Sequence, residues 1–222
     1  MKDLGKAFSA YFKDPQWFSK TLIAILWMLL CIVGIGIFVL AGYFVQITQR
    51  VMRKEEVVLP SWGDIGAKIV LGFKLIVTYA VYMIPMVILF VPVLILAVLS
   101  GAGDEADAMP ILFSVYIFGI TLLLIPYGLA LSLFSPIIMY RFAENERISD
   151  ALDVAALFRE FKGNWQNALV VALITMGIQS IAGMGVFLLF VGVFFTIFYT
   201  YVVSSYLCGV LYLSRGQQEP FL

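Results

Sequence analysis

Four apolar runs, at about 21–48, 75–100, 111–140 and 165–213, take up most of this 222-residue chain. Each exceeds the roughly 20 residues that a helix needs to cross about 30 Å of hydrocarbon. Hydrocarbon offers no hydrogen-bond partner to a bare peptide group, so such runs must be helical. Charged residues make up 13% of the chain, about half the ~25% of a soluble domain. These features predict an all-α integral membrane protein, one membrane domain over 1–222 with no soluble domain beside it.

The basic residues set the expected topology. Lys2, Lys6, Lys13 and Lys20 precede the first run; Arg50, Arg53, Lys54, Lys68 and Lys74 follow it; Arg141, Arg147, Arg159 and Lys162 lie before the last; Arg215 follows. If each long stretch enters and returns, all of these fall on one face, which the positive-inside rule makes cytoplasmic together with both termini. The acidic stretch with Asp104, Glu105 and Asp107 then faces outward. If the first run crosses once, five transmembrane helices result and the basic residues split between the faces. The charge favours about six transmembrane or re-entrant helices arranged as three hairpins, with five crossings as the alternative.

The first hairpin, 17–53, is short for two crossings and is expected to break at Gly34 and Gly36, where glycine tolerates unusual backbone angles. The second, 75–142, carries Pro85, Pro92, Pro126 and Pro136 as expected kinks and an outside loop at 101–110. The third, 164–214, is expected to turn at Gly183 and Gly185, and a tail covers 215–222. Its N-terminal region does not read as a cleaved signal, because the apolar run is too long and no small-residue cleavage site follows.

A short amphipathic segment precedes each hairpin, at 1–16, 61–74 and 147–162. In the first, Leu4, Phe8, Tyr11 and Phe12 fall at helical spacing opposite the lysines, and Asp14 with Pro15 marks a helix start. In the second, Ser61 and Asp64 fit a capping box after Pro60. In the third, Ile148, Leu152, Ala155, Phe158 and Phe161 form a stripe that ends at Gly163 and Asn164. These segments fit helices lying in the interface, or helix ends protruding into the headgroups. "FKDPQW" and "FKGNW" match with one residue deleted, a sign of internal repetition.

Chemistry has few candidates. The chain has no histidine, the commonest general base and metal ligand. Its two cysteines, Cys31 and Cys208, stand far apart inside apolar runs, so neither a disulfide framework nor a metal cluster is expected. No ionisable side chain lies well inside an apolar run, which argues against a pump or coupled carrier. Glu144 and Glu146 read as solvated loop charges, and Tyr43 as an aromatic anchor near the interface. No catalytic, cofactor-binding or metal residue is expected, no cofactor, and no nucleic-acid partner.

The stretch "GYFVQITQRVMRKEEVVLPSWGDIGAKIVLGFK", with "DPQW" before it, resembles the domain of unknown function family 4013, uncharacterised prokaryotic polytopic membrane proteins. Gly42, Tyr43, Pro60, Trp62, Asp64, Gly72, Phe73 and Lys74 occupy the positions of the family pattern. A proline common in the first run of such proteins is absent here, with Gly34 and Gly36 in its place. The resemblance implies a multi-pass protein of the prokaryotic cytoplasmic membrane and supplies no activity. The chain is also broadly similar to membrane domains attached to some bacterial glycerophosphodiester phosphodiesterases, which by analogy implies a lipid-related or accessory role.

The resulting expectation is a non-enzymatic membrane protein, an accessory or scaffolding subunit packing with other membrane proteins or with itself, and in contact with membrane lipids. Two alternatives stand beside it. One is a lipid-binding or membrane-shaping protein, and the other a channel or carrier for a small neutral solute.

Overall fold

The computed structural model describes residues 2–101, 108–182 and 191–215, which are helical with short connections and contain no strand. In chain order the helices are α1 (Lys2–Ala10), α2 (Trp17–Leu29), α3 (Ile35–Met52), α4 (Ile65–Gly101), α5 (Ala108–Asn145), α6 (Ile148–Leu152), α7 (Val154–Gly163), α8 (Trp165–Ala182) and α9 (Val191–Leu213). Short 3₁₀ turns at Tyr11–Lys13 and Leu30–Val33 extend α1 and α2. Four helical segments among the described residues are long and apolar enough to cross a membrane: Ile35–Met52, Ile65–Ile95, Phe113–Asn145 and Gly192–Leu213. Trp17–Val33 reaches that measure only together with Gly5–Lys13, from which it is bent by 94°.

The first apolar run folds back on itself. Lys20, at the start of α2, and Arg50, at the end of α3, both donate to the Leu59 carbonyl, at 2.9 and 3.3 Å. Those helix ends are therefore level, and α2 and α3 are antiparallel. The reversal sits at Gly34, whose φ of +87° is the left-handed conformation that glycine adopts without a Cβ clash. Gly36 serves a different need: a Cβ there would stand 2.0 Å from the Trp27 carbonyl oxygen, so only glycine lets α3 leave the turn against α2. The other expected turn glycines, Gly183 and Gly185, lie outside the described residues.

The chain divides into two compact units, Met1–Thr78 with Leu133–Leu222, and Tyr79–Ser132. In the first, α3 and α9 form the centre. Phe44 stacks on Tyr201 at 5.2 Å between ring centroids, the Thr48 hydroxyl donates to the Ser205 carbonyl at 3.0 Å, and a Cβ on Gly209 would lie 2.6 Å from that of Val51. Both sequences advance together through these contacts, so the return arms of the first and third hairpins run parallel. Around them Tyr43, Ile47, Leu59, Phe198 and Val202 are buried in one apolar core. Asn164, just before α8, donates to the Ser214 hydroxyl at 2.7 Å, bringing the two ends of the third hairpin level.

α3 and α4 cross at two glycines. A Cβ on Gly42 would lie 1.9 Å from the Lys68 carbonyl oxygen, and one on Gly72 would lie 1.8 Å from that of Phe38. In the second unit, the Tyr127 and Tyr116 hydroxyls donate to the Tyr82 and Leu89 carbonyls at 2.6 and 3.0 Å, pairing the two helices antiparallel. Pro85 and Pro92 lie inside α4 without ending it.

Three expectations about the connecting segments change. The stretch 61–74 is not a separate helix: Ser61–Asp64 precede α4, and 65–74 are its first turns. Ser61 and Asp64 form no capping box, because Trp62 turns inward to reach Tyr43 and Asp64 takes a φ of +49°. The segment 147–162 is two helices, broken at Asp153, whose carboxylate accepts the Ala156 N–H at 3.0 Å. Its buried residues are Ala151, Ala156 and Leu157, while Ala155 and Phe158 of the expected stripe are exposed. Asp14 does not cap α2 directly. Its carboxylate accepts the Gln16 N–H at 2.8 Å in a turn, and α2 begins at Trp17.

The α3–α4 crossing gives a direct test. Gly72→Ala should force the helices apart and lower the thermal unfolding midpoint of the detergent-solubilised protein by the equivalent of about 1–3 kcal/mol or more. Gly128→Ala, where nothing lies within 4 Å of the new methyl, should leave it within about 0.5 kcal/mol. Equal effects would contradict the close crossing.

Candidate functional site

The residues of the family pattern converge on the connection between α3 and α4. Gly42 and Gly72 are the crossing itself. Tyr43, fully buried, stacks on Trp62 with ring centroids 4.3 Å apart and planes 14° from parallel. It is therefore a core residue rather than an interfacial anchor. Pro60 is buried beside the buried Val58 and Leu59. Lys74 reaches back to the Glu146 carbonyl at 3.4 Å, Phe73 lies 5.8 Å from the Phe38 ring, and Asp64 is exposed.

Residues 57–63 form a strap whose carbonyls are held by cations from three helices. Arg50 of α3 donates to Val57 at 3.1 Å and to Leu59; Lys20 of α2 donates to Leu59; Lys68 of α4, itself buried, donates to Gly63. In return, the Trp62 indole N–H donates to the Lys20 carbonyl at 3.0 Å. An irregular backbone carries unpaired carbonyls, and burying one unpaired costs about 1–3 kcal/mol. The strap can lie against the core because these side chains supply the missing donors.

Lys20 in turn pairs with Asp14 at 2.6 Å, their side chains 12% and 3% exposed. Arg50 also pairs with Glu55 at 3.5 Å. Tyr11 shares a hydrogen bond with Thr21 beneath this knot, and the Tyr43 hydroxyl is buried there without a partner.

A second cluster joins α5, α7 and the end of α9. The Glu160 carboxylate accepts from the Tyr140 hydroxyl and from the guanidinium groups of Arg141 and Arg215. The Arg215 guanidinium lies 4.6 and 4.9 Å from the ring centroids of Tyr140 and Tyr212, positions that favour a cation over a π-face. It also pairs with Glu144 at 3.2 Å, which accepts from the Tyr212 hydroxyl at 3.1 Å. Burial pushes the Glu160 carboxyl up, yet Arg215, Tyr140 and Arg141 together outweigh it and hold the group below the usual carboxylate range. Glu144 and Glu146 are thus not merely solvated: Glu146 accepts from the Gln49 amide at 2.9 Å.

Carboxylates whose oxygens already accept from several donors fix helix ends. Among the described residues no group of three or more Asp, Glu, Cys or His is placed to hold a metal ion. Cys208 is buried, and the half-buried Cys31 donates to the Trp27 carbonyl at 3.4 Å. Sequence reasoning found the glycine, tyrosine and tryptophan positions but not what holds them. Lys20 and Arg50 stood out only as topology markers, and Glu160 not at all, since its partners are 19, 20 and 55 residues away.

The Asp14–Lys20 pair predicts a non-additive series. Lys20→Met leaves a buried carboxylate without its counter-ion and should destabilise the protein by about 3–5 kcal/mol. Asp14→Asn combined with Lys20→Met should recover much of that loss in thermal unfolding. Additive losses would show the pair to be energetically idle.

Compared with known proteins, residues 25–192 match a family model described as "Protein of unknown function (DUF4013)". The match takes in the strap, both crossing glycines and Glu160, and leaves Asp14, Lys20 and Arg215 outside it. No curated protein and no solved structure matches the chain.

Proposed function

The chain belongs to the DUF4013 family of proteins of unknown function, and we propose that this member is a non-enzymatic accessory or scaffolding subunit of the cytoplasmic membrane that packs with partner membrane proteins. In this reading six helical arms enter the membrane as three hairpins, with both termini and the basic helix ends on the cytoplasmic side. The grouping of Lys20, Arg50, Lys68, Lys74, Arg141 and Arg215 at hairpin ends supports that orientation.

The observation that carries the proposal is a difference in coverage. In α3 and α9, 56% of the membrane-length window is buried inside the protein, against 6% in α4 and in α5. Where this chain brings its own helices close, it places glycine at the contact: Gly36, Gly42, Gly72 and Gly209 each face a neighbour that leaves no room for a Cβ. Gly119 and Gly128 of α5 and Gly177 of α8 have nothing within 4 Å. Without a hydrophobic drive in lipid, helices associate through close packing at such small residues. Helices of a partner, or of a second copy, fit these open positions.

Gly128→Leu and Gly119→Leu, each checked for an unchanged unfolding midpoint, should test this. The wild-type protein extracted in mild detergent is expected to migrate as a complex larger than its monomer, and one or both variants should collapse it. A monomeric wild-type protein contradicts the proposal.

A further inference from the structure

Pairing sorts the cations into two groups. Lys20, Arg50, Lys68, Lys74, Arg141 and Arg215 are committed to carbonyls or carboxylates. Arg159 and Lys162 of α7 are exposed and make neither an ion pair nor a side-chain hydrogen bond. The acids around them are already engaged: Glu160 with Arg141 and Arg215, Glu144 with Arg215, Asp150 with Asn145, and Asp153 as the cap of α7. The two cations of α7 therefore form no ion pair with these acids.

The orientation of α7 is fixed by its other face. Ala156 and Leu157 are buried, Glu160 is tied to α5 and to Arg215, and Phe161 meets the Phe134 ring at 5.0 Å. At 100° per residue, Phe158, Lys162 and Arg159 then occupy the opposite sector, with Val154 at its edge beside Phe161. Val154 is exposed, and Phe158 keeps 56% of its surface open although its ring touches Phe134 at 4.9 Å. Trp165, which opens α8 immediately after the break at Asn164, is 52% exposed.

Aliphatic, aromatic and cationic side chains on one exposed stripe, beside a helix that starts into an apolar run, match the chemistry of a lipid headgroup boundary. The rings enter the acyl edge and the cations meet phosphate. We infer that the outer face of α7, with Trp165, is a docking surface for anionic phospholipid, with Arg159 and Lys162 on the headgroup and Val154, Phe158 and Trp165 on the chains. This inference makes no use of the open glycines of α5, so either reading stands without the other.

The test titrates phosphatidylglycerol and phosphatidylcholine, each as a short-chain lipid, into the full chain in a neutral maltoside detergent, following tryptophan fluorescence. Phosphatidylglycerol should bind more tightly, and Arg159→Gln with Lys162→Gln should weaken it about thirty-fold, roughly five-fold for each basic residue near an anionic surface. Phosphatidylcholine binding should not change. Arg53→Gln with Lys54→Gln removes two exposed, unpaired cations from a segment without aromatic residues and should weaken phosphatidylglycerol no more than a few-fold. Trp165→Phe should abolish the fluorescence change. Equal affinity for the two lipids, an equal loss in both double variants, a fluorescence change undiminished in Trp165→Phe, or full competition by inorganic phosphate would each overturn the inference.

Discussion

The Leu59 carbonyl, shared by Lys20 and Arg50, is the contact on which the rest of the first unit depends. A chain that enters an apolar environment and comes back must join its ends, and here the joint is a single backbone oxygen accepting from both helices. Because Leu59 is held, Pro60 and Trp62 are held, and Trp62 can lie flat on Tyr43. With Tyr43 covered, its neighbour Gly42 meets the backbone of α4, which fixes the α3–α4 crossing. Lys20 also needs Asp14, so the first turn before α2 is drawn into the same network.

A second joint of the same kind ties other helix ends on the same side of the unit. Glu160 gathers Tyr140, Arg141 and Arg215 from helices remote in sequence, and Asn164 meets Ser214 nearby. Leading away from both joints, α3 and α9 pack in parallel through Val51–Gly209, Thr48–Ser205 and Phe44–Tyr201. Parallel return arms are what repeated hairpins entering from one side require. The positive charge after the first run thus has two uses: Arg50 closes a fold, while Arg53 and Lys54 stay free at its edge.

Much of this was legible in the residues. Apolar run length predicted the helices, the charge pattern predicted the fold-back, and Gly34 and Gly36 marked the turn because few residues other than glycine suit a left-handed angle or a contact at backbone distance. Tyr43 was misplaced because an aromatic near a helix end reads the same whether it faces headgroups or a neighbouring indole. The strap was not legible: a buried irregular segment needs donors, yet nothing local says that Lys20, 39 residues away, supplies one. Asp64 looked like part of a cap because the spacing fits, but the inward turn of Trp62 prevents it. Glu160 carried no signal at all, since its partners come from two remote parts of the chain, Tyr140 with Arg141 and Arg215.

The central claim is that 21–48 is a closed hairpin whose ends meet at Leu59. Spin labels on cysteines at the exposed positions Ser19 and Arg53, in a background lacking Cys31 and Cys208, measure this by double electron–electron resonance. The closed hairpin predicts a separation below about 25 Å, whereas a single continuous helix, at about 1.5 Å per residue, would place the labels about 50 Å apart. A distance near the longer value would contradict the account.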